Sequence, residues 1–387
     1  MAHSKDVRWG NAGNPFHEVY PMAAHWRYHG GFMQHLPIYL ILPALSLLAV
    51  EIQAADRDPV TGVESRALAA PGQKASNLYY HFSNFTAGDR FVILAVDGQI
   101  HSYEVASGQL SRLTGGEGVA AGSASPHPRD KDLVYYWRAD VLTELNLATR
   151  KERRVGAGPK SHWGGYGQPT FSPDLRRVTL SYQKDDHNWE IGLMDLATGQ
   201  YRAVVSQGFR IGHVQHHPKE DKIFYVWETG GYAPQRTWLV NSDGTANRPF
   251  YARPDPKMWF TPLKEWVTHE AWIPDTGGMT LIMDKIGILI ADSEGTSRLL
   301  PGQYWHTAAR ADGKVLVVDD MPGNLWLMEA ATGNRKLLIT NLRGEKGVHA
   351  HASFSRDGRY VIFNDGRKGE GVSLIDLHAV EGEGWWK

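Results

Sequence analysis

Past residue 75 the apolar residues of this chain fall into short β-rich runs. Each is led in by small or polar residues, turned around an Asp, and followed by a second strand and often a TG or DG turn. The units are SNFTAGDRFVILAV, ASPHPRDKDLVYYW, PTFSPDLRRVTLSY, VQHHPKEDKIFYVW, AWIPDTGGMTLIMD, AARADGKVLVVDD and ASFSRDGRYVIFND. Their turn acids are Asp89, Asp130, Asp174, Asp221, Asp275, Asp312 and Asp357, spaced 41, 44, 47, 54, 37 and 45 residues apart. A four-stranded antiparallel blade takes about 40–50 residues. The period therefore predicts an all-β fold, a seven-bladed β-propeller. Turns such as LATGQ, NSDGT, DSEGT and EAATGN fall where the two outer strands of a blade join. A β-sandwich gives no such period.

Ahead of the repeat, the stretch from Met33 to Asp56 has a short apolar core followed by small residues, with a cleavage point after Ala54 or Ala55. The apolar run is too short to span a membrane comfortably, so it reads as a secretory signal. The expected organisation is a non-native extension over 1–32, a signal peptide over 33–55 and the propeller over 56–387. Export to the periplasm or beyond follows from that reading, with no membrane association after cleavage.

Composition adds less. The chain of 387 residues is 42% hydrophobic and 21% charged, with a formal net charge of -1. That balance gives no reason to expect nucleic acid as a partner. Cysteine is absent, which excludes disulfides and thiol chemistry. The 14 Trp and 16 Tyr suit both sheet packing and sugar stacking.

The 18 histidines change the picture. In a propeller the first strand of each blade lines the central channel, and its early residues lie near one mouth. Eight residues before the turn acids stand His81, Gly122, Tyr166, His213, Val267, Tyr304 and His349. Six before them stand Ser83, Ala124, Gln168, Gln215, His269, His306 and His351. The two offsets share parity and so share a strand face. Five of the seven blades carry a His at one of them. His349 and His351, joined by His306 from the adjacent blade, make a nitrogen-rich site for a divalent transition metal. Channel histidines that only hydrogen-bond water and neighbouring strands are the bland alternative.

At these residues the sequence resembles the oligogalacturonate lyases, seven-bladed propeller enzymes. The similarity runs over most of the propeller and is strongest in THEAWIPD, WHTAARADG and VHAHASFSRDGRYVIF, with weaker agreement in GYGQPTFSPD and QRTWLVNSDGT. The resemblance implies a manganese ion on His306, His349 and His351, a further active-site histidine at His269, and Arg236 as catalytic base. The family's glutamine ligand falls on Lys346, which cannot ligate while charged. Imidazole-rich sites also take zinc or nickel. The first blade, with His81 and His101, resembles instead the ulvan lyases, propellers that use a histidine pair.

The expected partner is an acidic oligosaccharide, and the expected activity is β-elimination at a uronide to a 4,5-unsaturated product. A divalent ion on the uronate carboxylate offsets the charge that builds as the C5 proton leaves. Arg236 as base requires a neutral guanidine, which its pKa resists. His269 is the more natural proton carrier, and Arg236 then serves to bind a carboxylate. Tyr166, Lys184 and His213, in adjacent blades, are candidate sugar contacts, while His216 and His217 read as structural. Trp259 and Trp266 lie in long aromatic interruptions of the repeat and serve equally as sugar platforms or blade-edge caps. Two further readings stand beside the first: an ulvan-type lyase working through His81 and His101, and a non-catalytic partner-binding propeller in the style of TolB, whose FSPDG signature marks the fold alone.

Overall fold

Seven antiparallel sheets follow one another along the chain, as the spacing of the turn acids requires. The computed structural model describes residues 55–387 apart from 163, 230–232, 253–265, 381–383, 385 and 387. The extension over 1–32 and the signal segment, save Ala55, lie outside the described residues, as does Trp259.

Blade 5 shows the plan: Val267–Trp272, Met279–Met283, Gly287–Ala291 and Ser297–Pro301 pair in that order. Blade 7 is closed from both ends of the fold. Its first three strands, Ser353–Phe354, Tyr360–Asp365 and Gly371–Asp376, are completed by Glu64–Ala67, with Arg66 opposite Leu374 and Ala67 opposite Ser373. All seven turn acids lie in the connection between first and second strands. Their carboxylates fasten those turns: Asp357 accepts from Ser355 Oγ and the Arg359 amide, and Asp174 accepts from Ser172 Oγ and the Arg176 amide. Asp89 instead accepts from the amides of Arg356 and Asp357, tying blade 1 to blade 7.

Alternation in the second strands builds the core. In Lys222–Trp227, Ile223 and Tyr225 join a cluster with Ile191 and Leu193 of blade 3, while Phe224 and Val226 face Met279 and Leu281 of blade 5. Val315 and Val317 likewise face blade 7, and Leu316 and Val318 face blade 5. Period-two side chains thus serve two seams at once, which is why these strands read as continuous apolar runs. Each such burial contributes about 1.5–3 kcal/mol.

Blade 1 departs from the plan. Its first strand shrinks to Ala75–Ser76 and a bridge from Phe85 to Val92, and the residues between run across the channel. Asn84 Oδ1 accepts from the Leu78 amide at 2.6 Å and Asn84 Nδ2 donates to Ser353 Oγ at 2.9 Å, which pins this segment to blade 7. The rings of Tyr79 and Tyr80 reach blades 4 to 7, meeting His213, His269, His306 and His351.

Candidate active site and metal centre

His306, His349 and His351 converge: each offers a ring nitrogen, and all three lie within 4.8 Å of one another. The local reason differs from the strand-face expectation. The first strand of blade 7 covers only Ser353–Phe354, so neither His349 nor His351 is in a strand. His351 has φ +42°, a left-handed backbone that redirects its side chain. The segment is held by two asparagines. Asn364 Nδ2 donates to the His349 carbonyl and Asn77 Nδ2 to the His351 carbonyl, and the Asn77 amide donates to Asn364 Oδ1.

Bulges repeat the device around the ring. Register slips by one residue between Gly212 and Gln215, between Thr268 and Ala271, and between Tyr304 and His306. His213 and His269 sit inside two of these bulges at φ +47° and +54°. Left-handed non-glycine residues and bulges gather where a side chain must be re-aimed. The slip also separates the two offsets that parity placed together. Gln215 turns away to donate to the Glu270 carbonyl at 2.8 Å, and Gln168 donates to the Ala124 carbonyl at 2.7 Å, both as ties between blades.

His306 presents one ring nitrogen to the cluster and the other to a carboxylate. Its Nδ1 lies 3.0 Å from both oxygens of Asp319, which leaves Nε2 buried with no hydrogen-bond partner among the described residues. A carboxylate behind an imidazole fixes the tautomer and orientation that a metal needs. Burial, reinforced by the nearby His306, holds the pKa of His349 down to about 4 and that of His351 well below the usual imidazole range. Both rings are therefore neutral at pH 7, with lone pairs available. The orphaned Nε2 and the neutral neighbours fit a divalent cation.

Lys346 stays out of this cluster. Its side chain is 60% exposed, with Nζ 3.7 Å from Glu370. His269 packs its ring 4.3 Å from His306 and 4.6 Å from Trp305. Its Nδ1 is buried with no hydrogen-bond partner among the described residues, and burial favours the neutral ring. Trp305 also meets His349 at 6.3 Å, and Trp266 packs edge-on against it.

Beside this lies a cluster of four ionisable side chains. Glu270, fully buried, accepts from His213 Nδ1 at 2.6 Å through Oε2 and from Arg236 Nε at 3.1 Å through Oε1. Glu228 Oε2 stands 3.5 Å from Arg236 Nη2 and 3.6 Å from His213 Nε2. Gly212 makes the room, since a methyl group there would stand 2.7 Å from Glu228 Oε2. Burial opposes every charge here, and the opposite charges outweigh it: Arg236 and His213 are raised and Glu228 is lowered. Glu270, though burial favours its neutral form, is drawn down to about 2 by Arg236 and His213. Arg236 is thus held as a guanidinium, with Nη1 also donating to the Trp227 carbonyl.

Of the remaining candidates, His81 borders this cluster. His81 belongs to the segment crossing the channel, 6.0 Å from His213 ring to ring. His101 sits in the third strand of blade 1, opposite Leu94, bonded to the Gln99 carbonyl. Tyr166 packs on Trp137 in the seam of blades 2 and 3 with its hydroxyl donating to the Pro159 carbonyl. Lys184 is tied to Glu190 at 2.9 Å, within a network that includes Tyr182 and Tyr201. His216 and His217 are buried in the wall of blade 4, as a structural role requires. Sequence reading missed Asp319, Glu270, Trp305 and Tyr80. The doubled acid in VLVVDD, at the end of an otherwise apolar strand, was the available signal for Asp319.

No family model matches the chain, and no curated protein matches it by sequence. Among solved structures, the chain is similar to an oligogalacturonate lyase in complex with manganese, with a TM-score of 0.72 at 21% identity over 84% of this chain and 96% of that one. It is similar to oligogalacturonate lyase from Vibrio parahaemolyticus, with a TM-score of 0.69 at 18% identity over 84% of this chain and 96% of that one. A mitotic checkpoint complex chain follows, with a TM-score of 0.54 at 12% identity over 80% of this chain and 95% of that one. At these identities the likeness is one of fold, and it places the chain among the seven-bladed β-propellers.

Proposed function

We propose that this protein is a divalent-metal-dependent lyase that cleaves uronic-acid-containing oligosaccharides by β-elimination. The observation that carries the reading is the convergence of His306, His349 and His351, with Asp319 fixed behind His306. The structural neighbours, named as oligogalacturonate lyases and one of them as a manganese complex, favour the same chemistry.

His306, His349 and His351 would hold the ion, which would supply Lewis acidity toward the uronate carboxylate. Manganese is the first candidate by likeness to the neighbour's complex; zinc and nickel suit three imidazoles equally. His269 takes the C5 proton at Nε2, because its Nδ1 is buried away from any substrate. Arg236, charged and held on three sides, steadies the developing negative charge without moving a proton. Trp305 offers a face to the sugar. We assign the protein to the periplasm or the exterior on the strength of the signal-like segment.

The test is a substrate screen. Oligogalacturonate, ulvan and other uronides are incubated with the protein and followed by ultraviolet absorbance of the unsaturated product. Growth of that absorbance on a uronide, lost with chelator and in His349→Ala, is expected. A flat trace on every uronide contradicts the reading. N-terminal sequencing of the exported protein checks the cleavage site.

A further inference from the structure

We infer that His213 is the general acid of this site, giving the proton on Nε2 to the departing glycosidic oxygen, and that Glu270 is the residue that positions it. The inference rests on the elimination reading above and names a partner for the proton transfer at C5.

The geometry divides the two ring nitrogens of His213. Nδ1 is committed to Glu270 Oε2 at 2.6 Å. Among the described residues, the recorded partner of Nε2 is Glu228 Oε2 at 3.6 Å, beyond hydrogen-bond reach. The proton on Nε2 is therefore attracted by a carboxylate but not tied to it. The ring stands in a bulge at φ +47°, with the side chain 19% exposed. A histidine buried only to complete the core needs neither an exposed edge nor a strained backbone.

The groups around the ring set its charge. Glu270 faces it from blade 5, Glu228 and Arg236 from the connection between the second and third strands of blade 4, and Tyr79 and His81 from the segment crossing the channel. Burial and Arg236 work against protonation, and the two carboxylates outweigh them, so the imidazolium persists above its ordinary range. Arg236 cannot share the acid role, since all three of its nitrogens are engaged. A permanently charged guanidinium is in any case a poor proton donor.

The reaction requires such a donor. As the C5–H bond breaks, its proton goes to His269 and its electron pair forms the C4=C5 double bond. The C4–O bond then breaks with its pair on oxygen. That oxygen would leave as an alkoxide, and a proton from His213 Nε2 converts it to a hydroxyl. His213 is left neutral and His269 charged, and both return to their resting states by exchange with water. No proton is consumed overall.

The test compares leaving groups. Wild type, His213→Gln and Glu270→Gln are assayed on an oligouronide and on a 4-deoxy-4-fluoro uronide, whose fluoride departs without needing a proton. His213→Gln is expected to lose about 10²–10⁴-fold on the glycoside, the usual range for one acid–base group, and less than about tenfold on the fluoride. Glu270→Gln is expected to move the alkaline limb of the pH–rate profile to lower pH. Metal affinity and melting temperature confirm that each variant is folded, and if Glu270→Gln is not, the leaving-group comparison in His213→Gln decides alone. Equal losses on the two substrates, or an alkaline limb that stays in place in a folded Glu270→Gln, overturn the assignment while leaving the lyase reading intact. If wild type turns over neither substrate, the lyase reading fails and the assignment falls with it.

Discussion

Asp319 holds His306 by two routes: Oδ1 accepts the His306 amide at 2.6 Å, and both carboxylate oxygens stand 3.0 Å from Nδ1. The two residues are opposite each other across the first and second strands of blade 6, so the register of the sheet itself sets the tautomer of His306. Asp319→Asn keeps the shape but offers a poorer acceptor. It is expected to weaken manganese or zinc binding by about 10–100-fold, read by calorimetry or chelator competition. Unchanged affinity would show that Asp319 serves the strand pair alone.

Asn364 ties the backbone that carries His349 and His351 to the crossing segment, through the His349 carbonyl and the Asn77 amide. Asn364→Ala leaves buried donors and acceptors without partners, at a cost of about 1–3 kcal/mol. Urea unfolding is expected to shift by that amount, and metal affinity is expected to fall with it because His349 and His351 lose their fixed spacing.

Lys346 tests the opposite expectation. Its ammonium faces Glu370 at the surface, so Lys346→Ala should alter metal affinity by no more than about twofold, the effect of an ordinary surface change. A large gain on substitution would mean that the lysine repels the ion.

Glu270 gives the acid dependence of stability a definite sign. Its folded pKa of about 2 lies below the ordinary value of 4.5, chiefly against burial and through Arg236 and His213. A depressed carboxylate contributes stability that is present above the unfolded pKa and is lost as pH falls through the folded one. The contribution is about 3 kcal/mol, and it should fade between pH 4.5 and pH 2. Comparing denaturant midpoints of wild type and Glu270→Gln across that interval measures it; parallel curves would contradict the assignment.

Trp305 stands between His269 and His349. If it is a sugar platform, Trp305→Ala should raise KM by about 2–10-fold, corresponding to about 0.5–1.5 kcal/mol of aromatic contact, while metal affinity is kept.

The fold was legible because it rests on local signals. Asp at each inner turn and an apolar second strand recur at a period that only one architecture satisfies. Convergence of His306, His349 and His351 was legible too, by counting back from those turns. The geometry that achieves it was not. Parity assumes a regular strand, whereas bulges at His213 and His269 and the left-handed His351 break the register where the site is built. Asp319 and Glu270 escaped notice because each acts across a strand pair or a blade seam, a relationship with no fixed spacing in sequence. Tyr79 and Tyr80 escaped because blade 1 gives up most of its inner strand to cross the channel, and an aromatic pair in a repeat reads first as core.

The measurement that bears most directly on the account is a metal titration of chelator-stripped protein, with uronide elimination followed in the ultraviolet. Activity should be absent without metal and rise to a plateau at one equivalent of ion per chain, and His306→Gln with His349→Ala should abolish both the rise and the binding. Full elimination by the stripped protein, or a plateau retained in that double variant, would contradict it.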